Sequence, residues 1–195
     1  FEAVKLLPDT IEGAKIHKLE IPTVFKKDGE VLAKAIEEQN PDIVICVGQA
    51  GGRSDISVEK VAINLMEARI PDNEEQQPLN QVIYEDGETA YFATLPVKAM
   101  VSKVKEAGIP SSVSYTAGTF VCNDIMYRLL YLADKEGKNL KGGFIHVPYL
   151  PEQVIDLPVG TPSLSVETIA KGLEAAVAAA VINDEDQNVA MGTIM

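Results

Sequence analysis

The chain has 195 residues, of which 46% are hydrophobic and 24% are charged, and its formal net charge at pH 7 is −12. A chain of this size can bury a substantial apolar core, and its length predicts one domain. The acidic balance argues against binding to nucleic acid phosphates or to an anionic membrane surface, so small molecules or peptides are the expected partners.

The cysteine content and the hydropathy bear on the cellular compartment. Cys46 and Cys122 lie far apart in the sequence and do not form a disulfide framework. No apolar run approaches the roughly 20 residues that a membrane span needs, and no basic leader precedes an apolar segment. We therefore expect a cytoplasmic protein without a membrane anchor.

The first half of the chain predicts a strand, a helix and a buried strand in that order. Residues 1–9 are typical of the end of a helix rather than the start of a domain. Residues 14–21 alternate as in a strand, residues 29–39 place apolar side chains at helical spacing, and residues 42–48 form a short apolar run that ends in glycine. Residues 56–64 then favour an extended conformation.

The second half repeats this alternation of helix and strand. Residues 96–108 carry one apolar helical face and end in glycine, and residues 111–116 predict a strand. The pattern predicts a helix from residue 119 to about 136 and a short apolar strand at 142–149. The last helix is expected to begin after Ser165, a residue type that caps helix N-termini.

Helices that alternate with short apolar strands predict an α/β fold. The expected architecture is a single-domain three-layer α/β/α sandwich over residues 1–195, with a mostly parallel twisted sheet covered on both faces. The acidic, aperiodic tail 183–195 is expected to be either a frayed end or an assembly contact.

Cys122 is the first candidate for a catalytic side chain, because it lies in the first turn of a predicted helix. Free N–H groups and the positive end of the helix dipole there favour a thiolate, lower the thiol pKa and can hold a carbonyl oxyanion. The alternative is a small core residue, as free cysteines usually are. Cys46, inside an apolar strand, fits that packing role better.

A cysteine nucleophile needs a base, and the chain has two histidines. His146 ends a predicted strand, where ligand sites of α/β sheets collect, whereas His17 has charged neighbours. Glu59 alternates with apolar residues in a β-rich segment, where a buried carboxylate would need a partner. A structural histidine and a solvated strand-edge glutamate are the alternatives for His146 and Glu59.

Other kinds of site find no support in the sequence. Two histidines and two cysteines, each pair widely separated, match neither an H-E-x-x-H nor a four-cysteine zinc site, so we expect no metal and no other cofactor. The glycines at 48, 51 and 52 lack the spacing of a dinucleotide-binding loop, and the P-loop motif is absent. No G-x-S-x-G elbow occurs.

Five sequence blocks together resemble pyroglutamyl peptidase type I, also called pyrrolidone carboxyl peptidase, of the bacterial type. The blocks occur in the order and spacing of that family and cover nearly the whole chain: residues 47–64, 67–81, 89–100, 116–123 and 143–154. The resemblance implies a cysteine exopeptidase that removes N-terminal pyroglutamate from peptides. By motif, its triad would be Cys122, His146 and Glu59.

The resemblance also implies residues around the triad. Gln49 and Arg69 would lie near the active centre, and the substrate pocket would be lined by Thr23, Ile70, Phe120 and Val121. Bacterial members of the family imply a homotetramer. Family members begin with a strand and a Gly-Phe-x-Pro-Phe-like segment, and this chain starts after it, so we expect the domain to be N-terminally incomplete.

Two alternative functions remain open at the level of sequence. The α/β layering would also suit a nucleoside phosphorylase or hydrolase, in which the glycine-rich residues 48–52 could meet phosphate. A shortened chain could also keep its sheet but act only as a catalytically weak subunit in an assembly.

Overall fold

The computed structural model describes residues 1–135 and 140–193. The helices in this part of the chain are α1 (Glu2–Lys5), α2 (Lys27–Gln39), α3 (Val97–Glu106), α4 (Val121–Lys135) and α5 (Val166–Ile182). The strands are β1 (Thr10–Ile11), β2 (Ala14–Lys15), β3 (Ile43–Gln49), β4 (Ile56–Glu59), β5 (Val61–Ile63), β6 (Ala90–Phe92), β7 (Ser111–Ser114) and β8 (Lys141–Val147).

The central sheet has the strand order β3-β8-β4-β7. The β3–β8 and β4–β7 pairs are parallel, whereas β4 runs antiparallel to β8. The reversal follows from the connection 50–55 between β3 and β4, because a parallel return needs a crossover of about a dozen residues or more. The predicted mostly parallel sheet is confirmed, with one antiparallel pair at its centre.

Helices cover both faces of this sheet. On one face α2 packs against α4, and on the other face α3 packs against α5. Neighbouring residues of a strand point to opposite faces, and Gly142 of β8 accordingly lies against Leu129 of α4 while Gly143 lies against Leu95. Gly172 of α5 lies against Ile56 of β4. The predicted three-layer α/β/α sandwich is therefore confirmed.

One predicted strand was wrong in extent, and another was wrong in its degree of burial. The strand expected at 14–21 is limited to Ala14–Lys15, which pairs with Thr10–Ile11 in a small hairpin. The apolar strand β3 was expected to be buried, but residues 43–45 are half-buried and Val47 is exposed. The reason is that β3 is an outer strand in the sheet order, and an apolar run alone does not distinguish an outer strand from a central one.

The predicted helices lie close to their expected positions. Ser165 caps α5 as expected, since its Oγ accepts a hydrogen bond from the Thr168 N–H at 3.2 Å. Helix α4 begins at Val121, two residues later than expected, and the expected end at residue 136 lies outside the described residues. Within the described ranges, no helix combines the length and the apolarity that crossing a bilayer requires.

The described part of the acidic tail, residues 183–193, is hydrogen-bonded to α3 through Asp186 and Gln187, contrary to the first of the two expectations for it. Asp186 Oδ1 accepts hydrogen bonds from the backbone N–H groups of Lys98 (2.8 Å) and Ala99 (3.1 Å). These groups open α3, whose N-cap residue Pro96 provides no side-chain cap. Gln187 also bonds Ser102 of the same helix. The tail therefore supplies the missing cap of α3 from a distant part of the chain.

Replacing Asp186 tests this cap. We expect Asp186→Ala to lower the free energy of unfolding by about 1 kcal/mol, the typical cost of removing a helix cap. Glu185→Ala, the neighbouring acidic residue, is the matched control and should leave stability close to that of the parent protein. Chemical denaturation measures both, and equal losses in the two variants would contradict a specific cap.

Candidate active site

One face of β8 brings the thiol and the imidazole to the same side of the sheet. Because strand residues alternate, Phe144 and His146 share the face that α4 covers. Cys122 is the second residue of α4, and its Sγ lies against β3 at Gly48. A Cβ at position 48 would be 2.9 Å from this sulfur and 2.6 Å from Phe144 Cζ, so only glycine leaves room for both side chains.

His146 is held by Glu59 on the neighbouring strand β4. His146 Nδ1 and Glu59 Oε1 are 2.7 Å apart, and the two side chains are buried. The antiparallel register places Ser57 opposite His146 and Glu59 opposite Phe144, so Glu59 points to the same face. A carboxylate that accepts a hydrogen bond at Nδ1 favours the imidazole tautomer protonated on Nδ1, which leaves the lone pair on Nε2.

The Nε2 atom of His146 makes no hydrogen bond with any other residue in the described part of the chain, Cys122 included. Phe144 packs beside the imidazole, with ring centroids 4.7 Å apart. The ring is thus oriented by one carboxylate and one aromatic neighbour, and Nε2 is available for a proton.

Arg53 is a member of this cluster that the sequence analysis missed. Its Nη1 donates to Glu59 Oε1 at 2.7 Å, and its Nη2 donates to the Thr116 carbonyl oxygen at 3.2 Å. The Arg53 side chain is 27% exposed, whereas that of Glu59 is fully buried. A buried carboxylate needs such a partner, and the glycine-rich turn after β3 contains the arginine, but the pairing itself depends on the tertiary structure.

The expected lowering of the Cys122 pKa was wrong. Burial raises the pKa of the Cys122 thiol to about 11, and the charge of Glu59 and, when it is ionised, that of Asp28 act in the same direction. Arg53 and the backbone N–H of Cys122 oppose this shift without overcoming it. The thiol is therefore neutral at pH 7 and needs a base to become a nucleophile. Burial raises the pKa of Cys46 further, to about 12, in line with its packing role.

The first turn of α4 leaves donors free beside the sulfur. The N–H groups of Asn123 and Asp124 bond the Phe120 carbonyl oxygen at 3.0 and 3.1 Å. Those of Val121 and Cys122 bond no other residue's acceptor in residues 1–135 and 140–193. Two adjacent free N–H groups at a helix start can hold a developing oxyanion.

Three of the four residues expected to line the substrate pocket lie at the start of α4 and in the loop before α2. Phe120 is half-buried and meets Phe25 edge to face, with ring centroids 5.2 Å apart, while Val121 is buried. Thr23 is exposed, and its carbonyl oxygen accepts from the Asn73 N–H at 3.2 Å. These contacts bring the loop before α2 and the loop after Arg69 and Ile70 together.

The remaining expected site residues are less enclosed. Ile70 is 60% exposed, and Arg69 is also exposed. Gln49 lies beside the histidine strand, since it pairs with Val147 in register. Its amide forms a reciprocal pair with Gln153, at 2.7 and 3.1 Å, so Gln49 already has a protein partner. In the same described ranges, no group of three or more His, Cys, Asp or Glu side chains could hold a metal ion.

The chain is similar to known proteins over nearly its whole length. A family model described as pyroglutamyl peptidase matches residues 1–183. The chain belongs to the pyroglutamyl peptidase family. The pyrrolidone-carboxylate peptidase of Clostridium perfringens (strain SM101 / Type A) is 58% identical over 193 residues, which are 99% of this chain and 90% of that protein. That of Lactobacillus johnsonii is 58% identical over 94% of this chain and 85% of the relative.

Solved structures agree with this membership. The pyroglutamyl peptidase I of Bacillus amyloliquefaciens superposes with a TM-score of 0.93 at 48% identity and covers 97% of this chain and 90% of its own. The pyrrolidone carboxyl peptidase of Thermococcus litoralis gives a TM-score of 0.88 at 40% identity, over 92% and 84% of the two chains. The resemblance seen in the five sequence blocks is confirmed, and neither alternative function is favoured.

The raised thiol pKa predicts how the reactivity of Cys122 depends on pH. We expect its alkylation rate in the folded protein to rise about tenfold per pH unit from pH 6 to pH 8, because the thiolate fraction grows by that factor below the pKa. Mass spectrometry of the iodoacetamide-treated protein, with Cys122→Ala to assign the peptide, measures this rate. A plateau below about pH 9 would contradict the raised pKa.

The Arg53–Glu59 contact predicts a coupling energy. Arg53→Met leaves the carboxylate of Glu59 buried without its cation and should lower the free energy of unfolding by about 2 kcal/mol. In the presence of Glu59→Gln the same replacement should cost much less, because no charge is then left unpaired. Denaturant unfolding of the two single variants and the double variant measures the coupling, and strict additivity would show that the contact has no energetic role.

Proposed function

We propose that the chain is a cysteine exopeptidase that hydrolyses the amide bond after an N-terminal pyroglutamyl residue of peptides. Cys122 acts as the nucleophile, His146 as the general base and acid, and Glu59 as the group that orients the imidazole. The observation that carries the proposal is the 2.7 Å contact between His146 Nδ1 and Glu59 Oε1 on the sheet face that Cys122 Sγ also occupies. Membership of the pyroglutamyl peptidase family supports it.

The reaction begins from a neutral thiol and a neutral imidazole. His146 Nε2 accepts the thiol proton as the sulfur attacks the pyroglutamyl carbonyl carbon, so the thiolate exists only as the carbon–sulfur bond forms. The carbonyl oxygen becomes an oxyanion that the N–H groups of Val121 and Cys122 stabilise. Glu59 stabilises the imidazolium formed in this step, and Arg53 keeps Glu59 charge-paired.

The second half of the reaction restores the resting groups. His146 Nε2 returns its proton to the departing amine as the carbon–nitrogen bond breaks, which leaves a pyroglutamyl thioester on Cys122. Water attacks the thioester carbon and gives its proton to Nε2. The carbon–sulfur bond then breaks, free pyroglutamate leaves, and the proton passes from Nε2 back to the sulfur.

The proposed pocket suits a blocked terminus. Pyroglutamate has a neutral lactam in place of a charged α-amino group, and its ring fits apolar walls with a few hydrogen-bond partners. We assign Thr23, Ile70, Phe120 and Val121 to this pocket, with Gln49 and Arg69 at its margin. An ordinary N-terminal ammonium would lose its hydration there without gaining a counter-ion, which disfavours unblocked peptides.

The proposal includes the domain organisation, the cellular compartment and the oligomeric state of the protein. Residues 1–195 act as a single cysteine-peptidase domain in the cytoplasm, where reducing conditions suit the free thiols Cys46 and Cys122. The functional form is a homotetramer that needs no metal or other cofactor. Analytical ultracentrifugation at micromolar concentration tests the assembly, and a strict monomer would contradict it.

The activity is tested with a pyroglutamyl chromogenic amide and a matched pair of cysteine variants. Cys122→Ala should lower kcat/KM by about 10³-fold or more, because it removes the nucleophile. Cys46→Ala, a replacement of the same size at the packing cysteine, should keep most of the activity. An alanyl amide with a free terminus is the substrate control. Equal rates for Cys122→Ala and the parent protein would refute the assignment of the nucleophile.

A further inference from the structure

Two carboxyl groups are fully buried behind the first turn of α4, and the catalytic proposal does not use them. Asp28 of α2 and Asp124 of α4 have no exposed surface. Asp28 Oδ1 accepts from the Gly29 N–H at 2.6 Å, and Asp124 Oδ2 accepts from the Lys26 N–H at 3.1 Å and from Arg128 Nε at 2.9 Å. The other oxygen of each, Asp28 Oδ2 and Asp124 Oδ1, is buried without a hydrogen-bond partner in the described residues.

The two carboxyl groups belong to neighbouring segments, because Asp124 accepts from the Lys26 N–H, two residues before Asp28, and its partner Arg128 lies against Gly29, the residue after Asp28. A buried oxygen without a partner is costly, and two adjacent carboxylates repel each other. A single proton between Asp28 Oδ2 and Asp124 Oδ1 removes both costs, because it gives one oxygen a covalent hydrogen and the other a donor. Burial and the charge of Asp124 raise the pKa of Asp28 to about 8, in agreement with this arrangement.

The position of the proton follows from the cation nearby. Arg128 pairs with Asp124 rather than with Asp28, and the Arg128 guanidinium also lies over the Tyr84 ring. Glycine at position 29 leaves the space that the Arg128 side chain occupies against α2, since a Cβ there would lie 2.2 Å from Arg128 Cδ. The charged member of the pair is therefore Asp124, and the neutral member is Asp28.

We propose that Asp28 is protonated at neutral pH and donates its proton to Asp124, and that this acid–carboxylate pair positions the first turn of α4 and thereby Cys122. The part of this inference that concerns catalysis rests on the proposed function of Cys122. Asp28 and Asp124 are positioning residues, because neither takes part in the bond changes of the reaction.

Asp124 connects the nucleophile's helix to a strained turn. Lys26 has φ 69° and ψ −46°, in a tight turn closed by the Lys27 N–H and the Phe25 carbonyl oxygen at 2.8 Å. A residue with a side chain is strained in this conformation, so the surrounding contacts must hold it. Asp124 Oδ2 is such a contact through the Lys26 N–H. The conformation of this turn determines the position of Phe25, which packs on Phe120 at the start of α4.

The charge of the pair also acts on the thiol. Asp28 interacts electrostatically with Asp124, Arg128 and Cys122 of α4 and with Cys46 of β3, and its Oδ1 accepts from the Gly29 N–H of its own helix. A negative charge on Asp28 raises the pKa of Cys122, so the shared proton spares the nucleophile a second buried anion. Loss of that proton in alkaline solution makes the thiol harder to ionise.

Infrared spectroscopy of the wild-type protein tests the proton directly. At pH 7 solvent-exposed carboxyl groups are ionised, so we expect a protonated carboxylic acid band that disappears with a midpoint near pH 8. The band should be absent in Asp28→Asn and present in Glu30→Gln, which removes an exposed carboxylate from the same helix. A wild-type spectrum without the band at pH 7 would overturn the proposal.

The pH dependence of stability gives a second test. The unfolded chain loses the Asp28 proton near pH 4 and the folded chain near pH 8, so the folded state binds the extra proton between these values and loses stability as pH rises. The unfolding equilibrium constant of the wild type should rise about tenfold per pH unit relative to Asp28→Asn from pH 5 to pH 8. Glu30→Gln should follow the wild type. Parallel curves for wild type and Asp28→Asn would reject the shared proton.

Catalysis separates a positioning role from a purely structural one. Asn at position 28 can donate to Asp124 Oδ1 and accept from the Gly29 N–H, whereas Leu can do neither. Asp28→Leu should therefore lose about tenfold or more in kcat/KM, and Asp28→Asn should restore most of this loss, with no alkaline decline near pH 8. Equal losses in the two variants would refute positioning through the hydrogen bond. If the wild type hydrolyses no pyroglutamyl amide, the proposed function fails, while the infrared and stability tests still decide the shared proton.

Discussion

The site depends on one buried oxygen, Glu59 Oε1. It accepts hydrogen bonds from both His146 Nδ1 and Arg53 Nη1 at 2.7 Å, inside a sheet where an unpaired carboxylate would be too costly to keep. The arginine keeps the charge in place, and the charge fixes the imidazole tautomer and direction. Without this oxygen, Nδ1 of His146 would lose the hydrogen bond that defines its tautomer.

The topology of the sheet makes that contact possible. The short connection between β3 and β4 forces β4 to run antiparallel to β8, and the resulting register turns Glu59 toward the face that carries His146. The same connection contains Arg53, which is therefore close to Glu59 although β8 separates β3 from β4 in the sheet. A single reversal of the chain thus supplies both the carboxylate and its cation, and Gly48 at the end of β3 leaves the space for the sulfur.

Cys122, the proposed nucleophile, is buried near acidic side chains, although it lies in the first turn of a helix. Burial is the main influence that disfavours a thiolate, and the charge of Glu59 and, when it is ionised, that of Asp28 add to this effect. The helix start and Arg53 act against these influences but do not reverse them. The surroundings therefore favour a neutral thiol at rest and proton transfer during attack, in contrast to a permanently ionised cysteine.

The sequence by itself determined the local features of this protein. Helical periodicity located α2, α3 and α5, the Ser165 cap marked the start of α5, and the motif blocks identified the family and selected Cys122, His146 and Glu59 as candidates. These signals are local because spacing and capping depend on residues a few positions apart. Only the tertiary structure decided the antiparallel pairing of β4 with β8, the outer position of β3, the role of Arg53 beside Glu59, the docking of the tail on α3 and the raised pKa of Cys122. Each of these depends on burial or on contacts between distant segments, and no local pattern in the chain encodes them.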